Sequence, residues 1–356
     1  MILERYIAGN LVKGWLLVLL VLGAVFGLIG FVQELDHTRF DYNALAVGRY
    51  TLFILPQQLV SLSPVIALLG SIVALASLDR SNELTIMSCS GFSRAGLLRA
   101  IAVPTALLMA LLWLCMEYIT PPLQQSAEAE RHALRYQNQV RIPDGGVWSK
   151  NGNRYIHLDK MFQDGVPGDI DLFEFDDSGQ LTRALHAKTA KVSKDRTWLF
   201  QKVREKLLVD GTLVNRRHRE LQITNLWSPD ELPTLTLDSD SMRLSVLYSY
   251  SQYLAANGQP MTRYISVFWQ KLMMPLTVGA MVLLATPISI NIGAGRSRSF
   301  GLNMGIGALV GILFYLGAQI VFALGQLLQL SLPAVSVLPA VVVALCAMIL
   351  IRRMRW

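Results

Sequence analysis

Long uncharged apolar stretches dominate this chain and alternate with short polar segments. Their bounds are Gly14–Gln33, Tyr50–Leu78, Ala100–Met116, Leu272–Gly295 and Ser299–Ile351. A helix of about 20 apolar residues crosses the hydrocarbon core of a bilayer, so each of the first four stretches predicts one crossing. The fifth is long enough for two, with natural breaks at Gly325-Gln326, Gln329 and Pro333. The pattern therefore predicts a polytopic α-helical membrane protein with six transmembrane helices.

Two of these stretches have further local features. Gly14–Gln33 continues to Glu34 without the small-residue cleavage site of a secretory signal, so it is expected to remain as a membrane anchor. Pro56 and Pro64 are expected to bend the second helix, because proline removes a backbone hydrogen-bond donor.

The short polar segments set the predicted orientation, because basic residues beside membrane helices stay on the cytoplasmic side. The N-terminal segment, the loops after the second and fourth helices and the tail hold ten of them: Arg5, Lys13, Arg80, Arg94, Arg99, Arg296, Arg298, Arg352, Arg353 and Arg355. The opposite short connections hold two, Arg39 and Arg49. Both termini are therefore predicted to be cytoplasmic, with the long polar segment after the third helix on the external side.

That long polar segment predicts a β domain between two helices. Gln124–Gln139 is rich in helix-forming residues, and a second helical pattern follows Asp240 and ends near Gly258. Between them lie short alternating runs separated by turn signals: Arg154–Leu158, Asp171–Phe175, Thr197–Phe200 and Glu220–Ile223. Several short strands at this spacing predict an all-β sandwich or jellyroll, inserted between the third and fourth membrane helices.

The composition agrees with a membrane protein. Hydrophobic residues make up 53% of the 356 positions and charged residues 16%, against about 25% charged in an ordinary soluble domain. The net charge of +7 is not a nucleic-acid signal, because Pro121–Arg263 holds 19 basic and 18 acidic residues whereas the rest of the chain holds 13 and 7. The excess of basic over acidic residues lies beside the apolar stretches. No nucleic-acid partner is expected.

The sequence carries no recognisable catalytic or metal-binding motif. A Walker A loop, HExxH, GxSxG and a GxGxxG opening a helix are all missing. The three cysteines form no CxxC pair, and the five histidines are scattered. Asp176-Asp177-Ser178-Gly179 is expected to form a hairpin turn rather than a pair of catalytic acids. The chain is therefore not expected to be an enzyme or to hold a cofactor or metal; if ATP drives it, another chain binds the ATP.

The cytoplasmic loop at 79–94 has the most informative pattern. A short helix is expected at about 79–92, begun by Asp79 or Ser81 and ended by Gly91. Its spacing places an acid flanked by apolar side chains on one face, made of Arg80, Glu83, Leu84 and Met87. Such a helix either docks into a groove with a basic rim or lies on the lipid headgroups, and the residues alone leave both interpretations open.

Small residues and two charged residues are further candidates. Gly23-x-x-x-Gly27 with Gly30 in the first helix, and Gly301-x-x-x-Gly305 and Gly307-x-x-x-Gly311 in the fifth, permit close approach of another helix, either in a partner or in this chain. Glu117 and Lys271 lie at the external edges of their helices, where they either extend to the interface or form a pair.

Six helices, a β-rich insert and several short stretches together resemble a known family. The stretches are Arg80-Ser81-Asn82-Glu83-Leu84, Ser90-Gly91-Phe92-Ser93-Arg94 and Phe268-Trp269-Gln270-Lys271-Leu272. They resemble the LptF/LptG permeases of lipopolysaccharide export, over the whole chain and most specifically at Glu83–Arg94. Two further stretches favour the LptG branch over LptF, namely Leu3-Glu4-Arg5-Tyr6-Ile7 and Tyr253–Gln259.

The resemblance implies a permease subunit of an ABC exporter in the inner membrane of a Gram-negative bacterium, which extracts lipopolysaccharide and passes it to a periplasmic bridge. The implied partners are an LptF permease, an LptB dimer that hydrolyses ATP, and LptC. Residues 1–120 and 264–356 would form the membrane part, and 121–263 the periplasmic domain with a β-jellyroll core at about 140–240. The loop helix would be the coupling helix, with contacts from Glu83, Leu84, Met87, Ser90, Gly91 and Phe92.

Expected substrate contacts follow from the same resemblance, in which the first and fifth helices form lateral gates of an outward-tapering cavity. They are Phe26, Gly30, Arg39, Arg131, Arg135, Ile312 and Tyr315. Family members carry lysines near the external end of the first helix, where Gly30–Arg39 of this chain has only Arg39 as a firm cation. Phosphate contact is therefore expected from Arg39, Arg131 and Arg135, or from the partner subunit.

Two other functions are compatible with the layout. A membrane scaffold or sensor could report from its external domain to the cytoplasm without moving lipid. A membrane enzyme acting on lipid or peptidoglycan precursors would need clustered acids or histidines near the external interface, which the sequence does not show.

Overall fold

The helices of the protein are seen in a computed structural model that describes residues 2–38, 42–136, 139–140, 147–162, 166–176, 178–193, 195–209, 212–224, 226, 239–259, 261–291, 300–328 and 330–353. Before the β domain they are α1 (Ile2–Leu35), α2 (Ala44–Ser61), α3 (Ser63–Arg80), α4 (Glu83–Cys89), α5 (Arg94–Leu114) and α6 (Thr120–Tyr136). After it they are α7 (Leu244–Ala256), α8 (Thr262–Asn291), α9 (Phe300–Leu327) and α10 (Leu332–Arg353).

Among the described residues, six helical segments are long and apolar enough to cross a membrane, which confirms the prediction. They are Ile2–Leu35, Ser63–Arg80, Arg94–Arg131, Thr262–Ile290, Met304–Leu327 and Leu332–Arg353. The break between the fifth and sixth falls at Leu327–Leu332, where the Gly, Gln and Pro signals predicted it. The six crossings leave one end of the bundle with the β domain and the opposite end with α4.

The second membrane segment is divided into α2 and α3 at Leu62. Pro64 lies in the first turn of α3, where its missing N–H removes no helical hydrogen bond. Pro56 lies inside α2. A helix boundary at Leu62, two residues before Pro64, therefore takes the place of the predicted bend.

The third membrane helix does not end at Met116–Tyr118 as the sequence suggested. A π-helical turn, Cys115–Ile119, joins α5 directly to α6. The helix predicted at Gln124–Gln139 is therefore the extension of the third membrane helix beyond the bilayer. A π turn inserts one extra residue into a helix and often marks a functional position; here it contains Glu117.

The centre of the bundle is formed by α3 and α8. In their most apolar 18-residue stretches, 72% and 67% of the residues are buried, against 17% in α1 and 11% in α9. Helices α1 and α3 approach closely at Gly14, since this residue has no Cβ. A Cβ there would lie only 2.3 Å from the carbonyl oxygen of Gly70. Beside it, Trp15 Nε1 donates a hydrogen bond of 2.8 Å to Ser71 Oγ. The helices α1 and α9 remain largely exposed.

The small-residue patterns pack mainly inside this chain. Gly23 and Gly27 face Leu59 and Leu55 of α2, and Gly30 faces Thr51 and Gln58 of the same helix. In α9, Gly307 and Gly311 face α3. Gly305 has no atom within 4 Å of its Cβ position among the described residues. Packing inside this chain therefore accounts for Gly23, Gly27, Gly30, Gly307 and Gly311, and a seam with a partner helix stays a prediction.

The described strands of the β domain form one antiparallel sheet of seven. They are β1 (Gln139–Val140), β2 (Val147–Asn151), β3 (Arg154–Phe162), β4 (Pro167–Phe175), β5 (Leu181–Val192), β6 (Trp198–Val209) and β7 (Thr212–Ile223). The order is β1-β3-β4-β5-β6-β7, and β2 also pairs with β3. The all-β insert is confirmed. From β3 to β7 each described strand pairs antiparallel with the next in sequence.

The sheet bends along a row of residues that contains Asp169 in β4 and Lys202 in β6. Both have a positive φ, 46° and 55°, which is uncommon for residues other than glycine and turns the strand locally. The burial pattern of β6 shifts by one residue across this row, from Phe200 on one side to Val203 on the other. Residues on both sides of the bend therefore face one core, which includes Ile156, Ile170, Leu185 and Trp198.

Candidate functional site

The short helix α4 is fixed to the end of the bundle by its own apolar residues. Leu84 and Met87 are 3% and 6% exposed, and both belong to a core with Leu78 of α3 and Leu97 of α5. These residues lie three apart and occupy one face of the helix. A seven-residue helix has little stability by itself, so this packing determines its position.

The C-terminal end of α4 forms a Schellman motif. Gly91 has φ +88°, Gly91 N–H donates to Ser88 O at 3.1 Å, and Phe92 N–H donates to Met87 O at 3.1 Å. The prediction that Gly91 ends the helix is confirmed. Phe92 packs against the same core as Met87, and Ser93 Oγ then accepts from Gly96 N–H to begin α5. The predicted contact residues 90–92 therefore form a rigid corner between α4 and α5.

Two details of the predicted helix are wrong. The N-cap is Asn82, with φ 60° and without a side-chain cap bond, instead of Asp79 or Ser81. Leu84 and Met87 do not project outward beside Glu83, because they pack into the bundle. The exposed surface is formed by Thr85, Cys89 and Ile86, the last being 65% exposed. Helical spacing alone could not show which apolar face would turn inward.

Glu83 lies at the edge between the buried and exposed faces of α4. Its Oε1 accepts a 2.8 Å hydrogen bond from Ser81 Oγ, which holds the carboxylate at the N-terminal end of the helix. Arg80, Arg94 and Arg99 are exposed at the same end of the bundle. The site thus combines an oriented carboxylate with an exposed apolar side chain, Ile86.

At the opposite end of the bundle, Arg131 does not provide the free cation that was expected. Its Nε and Nη2 donate to the two carboxylate oxygens of Glu34 at 2.6 and 3.0 Å. Tyr42 donates to Glu34 at 3.3 Å, and the guanidinium lies 5.0 Å from the centre of the Tyr50 ring. Burial raises the pKa of Tyr42, so its hydroxyl stays a donor. Arg131 is committed to tying α6 to the end of α1.

Three further arginines bear on the expected phosphate contacts. Arg39 lies outside the described residues, as does the side chain of Arg135, whose backbone belongs to α6. Arg49, which was not assigned, is exposed and reaches Glu130 at 3.2 Å. Of the three expected phosphate contacts, the structure therefore places only the side chain of Arg131, which pairs with Glu34. Contact of Arg39 and Arg135 with phosphate stays a prediction.

The remaining predicted substrate residues lie on helices that flank α3. Phe26 is half-buried and Gly30 faces α2, whereas Ile312 and Tyr315 of α9 are 57% and 44% exposed. Tyr315 also lines a cavity of about 170 Å³ between α3, α8, α9 and α10. Its wall is mostly apolar, with a few polar groups that include Gln319 and Ser336. Such a wall suits an apolar chain or ring.

Glu117 and Lys271 both hold the segment that follows the β domain, and no direct ion pair joins them among the described contacts. Lys271 Nζ donates to the carbonyl oxygens of Asp240 and Met242 at 2.6 and 2.9 Å. Glu117 accepts from the backbone N–H of Ser245 at 3.3 Å and from its hydroxyl. The simple reading of both residues as interfacial charges is wrong. They join the third and fourth membrane helices to the start of α7.

Two histidines that are far apart in sequence meet on one carboxylate. Asp171 lies 3.5 Å from His157 Nδ1 and 2.7 Å from His186 Nδ1. Strand pairing places the three in one row, which the sequence spacing did not indicate. No group of three or more possible metal ligands occurs in the described ranges. The Asp176 turn is a hairpin as predicted, with Asp176 Oδ1 accepting from Ser178 and Gln180 N–H.

Comparison with known proteins agrees with this architecture. Residues 5–353 match the model of a family described as lipopolysaccharide export system permease LptF/LptG. The chain is 29% identical over 348 residues to the lipopolysaccharide export system permease protein LptG of Escherichia coli K12, covering 94% of this chain and 95% of that protein. It is 28% identical over 326 residues to LptG of Haemophilus influenzae, covering 91% and 90%. The chain therefore belongs to the LptF/LptG family of lipopolysaccharide export permeases.

Proposed function

We propose that this chain is a permease subunit of an ABC exporter that extracts lipopolysaccharide from the inner membrane and passes it to a periplasmic bridge. ATP would be hydrolysed by a separate subunit, since the sequence holds no nucleotide-binding loop. The observation that carries the proposal is α4, which is anchored by Leu84 and Met87 and presents Ile86 and Glu83 at its exposed edge.

The attachment of α4 suits the transmission of force. Its buried face belongs to the same core as α3 and α5, so a displacement of α4 must displace these two membrane helices. The Schellman corner at Gly91 and Phe92 further restricts independent rotation. A nucleotide-driven movement of a docked ATPase, proposed to be an LptB dimer, would therefore reach the bundle through this helix.

The proposed orientation puts α4 and both termini in the cytoplasm and the β domain in the periplasm. Its support is the basic charge beside the membrane segments at the α4 end, as in Arg80, Arg94, Arg352 and Arg353. The family supports an LptF homologue as the second permease and LptC as a further partner. The exposed apolar faces of α1 and α9 suit contacts with lipid or with those partners.

Replacement of Glu83 by alanine tests the coupling role. We expect Glu83→Ala to lower the amount of ATPase that co-purifies with the full complex in mild detergent, while thermal unfolding of the permease is unchanged. Glu130→Ala, which removes a carboxylate at the opposite end of the bundle, serves as the control. If Glu83→Ala retains full ATPase binding and lipid transfer, the role given to Glu83 is wrong.

Photo-crosslinking separates a permease from a scaffold or sensor. A photoreactive residue at Ile86 should form an adduct with the ATPase, and one at buried Leu84 should not. Photoreactive residues at Phe26 and Tyr315 should label lipopolysaccharide in an ATP-dependent manner. A scaffold would give no lipid adduct at either position.

A further inference from the structure

The face of the sheet opposite its core carries two adjacent rows of side chains. Ser149, Ile156 and Leu172 are buried on the core face, so their neighbours along each strand point the other way. Strand pairing aligns these outward-pointing side chains in rows across the sheet. The aromatic row is Lys150, Tyr155, Phe173, Ala184 and Lys206. The mixed row is Trp148, His157, Asp171, His186, Arg204 and Arg217.

A stack of aromatic rings ends at Trp148. Its indole stacks on His157 with ring centres 4.5 Å apart and on Phe173 at 5.9 Å, with planes inclined by 29° and 15°. Trp148 lies in β2, whose described partner is β3 alone, and the residue is 54% exposed. The ring at the end of this stack therefore presents a flat apolar face to solvent and a polar N–H at its edge.

The open indole borders a shallow recess of about 590 Å³, a volume within the usual range of small-ligand sites. Tyr155 and Phe175 line the recess, and their rings make an edge-to-face contact with centres 5.3 Å apart. Lys150 Nζ lies 5.2 Å above the Tyr155 ring, and Asp176 lines the rim. The recess therefore offers flat apolar surfaces beside charged groups at its edge.

Exposed cations lie on the same face, on the strands beyond the aromatic side chains. Lys206 stands two strands from Phe173 in the aromatic row, with the small Ala184 between them. Arg204 and Arg217 are directly opposite each other on β6 and β7, and both are exposed. Like charges directly opposite destabilise a sheet. An anionic ligand would relieve that repulsion.

We propose that these two rows form a binding site for an anionic saccharide, such as the phosphorylated or carboxylated sugar portion of a glycolipid. One face of a pyranose ring carries C–H groups and stacks on the open indole of Trp148, while its hydroxyls reach Lys150 and Asp176. Phosphate or carboxylate substituents bind Lys206, Arg204 and Arg217. The inference rests on the proposed function, in which the cargo carries such a headgroup.

The dimensions agree with an oligosaccharide rather than a single sugar. Neighbouring strands lie about 4.8 Å apart, so the four steps from Lys150 in β2 to Lys206 in β6 span about 19 Å. Both ends of the aromatic row are cationic and its middle is aromatic or small. This arrangement of apolar surface between two cations suits a chain of sugar rings that carries charged substituents.

The test uses the full chain in nanodiscs of neutral phospholipid. The probe is the deacylated, phosphorylated oligosaccharide of lipopolysaccharide, which has no acyl chains to bind elsewhere in the protein. We expect saturable binding in titration calorimetry that weakens with salt. Trp148→Ala should weaken it about tenfold, whereas Trp148→Phe keeps an aromatic face and should retain most of it. Lys206→Ala should weaken it about threefold.

Two controls make the result specific. Tyr248→Ala removes an exposed aromatic residue on α7, away from the two rows, and should leave binding unchanged. The same oligosaccharide with its phosphates removed and its carboxylates reduced to alcohols should bind more weakly to the unmodified chain and should be insensitive to Lys206→Ala. Equal binding of both probes would overturn the assignment of the cations. No saturable binding, or binding unaffected by Trp148→Ala, would overturn the site.

The outcome is separable from the test of the proposed function. Co-purification of the ATPase and lipid adducts at Phe26 and Tyr315 do not depend on the outer face of the sheet. If these succeed and the oligosaccharide does not bind, the saccharide site alone is wrong. If the oligosaccharide binds and both of the others fail, the proposed function is wrong.

Discussion

Arg131 holds Glu34 in a bidentate ion pair that joins α6 to the end of α1, across 97 positions of sequence. Their side chains are 18% and 11% exposed. The pair lies at the β-domain end of the bundle, beyond the contacts that Gly27 and Gly30 make with α2. It therefore fixes the end of a helix whose most apolar stretch is largely exposed.

Removing one partner should destabilise the protein strongly. Arg131→Met leaves the Glu34 carboxylate without its cation in a nearly buried position, which costs about 3 kcal/mol. A thermal unfolding experiment in detergent measures the loss. Arg49→Met, which removes an exposed pair, should cost less than about 1 kcal/mol. Equal effects of the two changes would contradict the importance given to the Glu34 pair.

A methyl group at Gly14 should separate α1 from α3. Its Cβ would meet the Gly70 carbonyl oxygen at 2.3 Å, and backbone atoms cannot move aside cheaply. We expect Gly14→Ala to destabilise the protein by about 1–3 kcal/mol. Gly9 lies in the same helix, and a Cβ at this residue would have no atom within 4 Å among the described residues. Gly9→Ala should therefore not lower stability. Thermal unfolding of both variants is the measurement, and a stable Gly14→Ala protein would show that the contact is looser than described.

The corner at Gly91 should be needed for coupling more than for folding. Gly91→Ala forces an L residue into φ +88° and should cost about 1 kcal/mol locally. We expect reduced ATPase co-purification with nearly unchanged thermal unfolding. Gly91→Asn should be milder, because asparagine adopts the left-handed conformation more readily. If both variants bind ATPase normally, the rigid corner is not part of the docking surface.

The β domain should lose stability in acid through Glu205. This carboxylate is 4% exposed; burial raises its pKa, but hydrogen bonds from His218 and Arg183 outweigh that effect and lower it overall. Its contribution is complete above the unfolded pKa of about 4.3 and is lost as the pH falls through the lower folded value. Hydrogen exchange of β5–β7 amides, corrected for the intrinsic rate, should rise over this window. Glu205→Gln should flatten the dependence, and an unchanged profile would contradict it.

Local signals predicted much of this structure. The uncharged stretches predicted the six membrane helices, and Pro64 predicted a change of direction in the second of them. Gly91 and Gly258 predicted where α4 and α7 end. Each of these depends on the conformational limits of one or two residues or on a run of apolar side chains. Such limits act before any tertiary contact is made.

Other features depend on contacts between distant segments and left no local signal. Leu84 and Met87 have the spacing of a docking face, and only the core formed with α3 and α5 turns them inward. Strand β5 is rich in Ala, Lys and Arg, which favour helix, and its neighbours β4 and β6 determine its state. The pairing of Arg131 with Glu34 likewise could not be read from either segment alone.

The central claim is that α4 lies in the cytoplasm and receives the force that moves the cargo. Cys89 is exposed on α4, and it can be made the sole thiol by Cys115→Ser and Cys346→Ser. An impermeant thiol reagent applied to intact spheroplasts should not label Cys89, and should label it once the membrane is permeabilised. Ser178→Cys, in the exposed β4–β5 turn, provides the opposite control and should be labelled in intact spheroplasts. Labelling of Cys89 in intact spheroplasts would contradict the account.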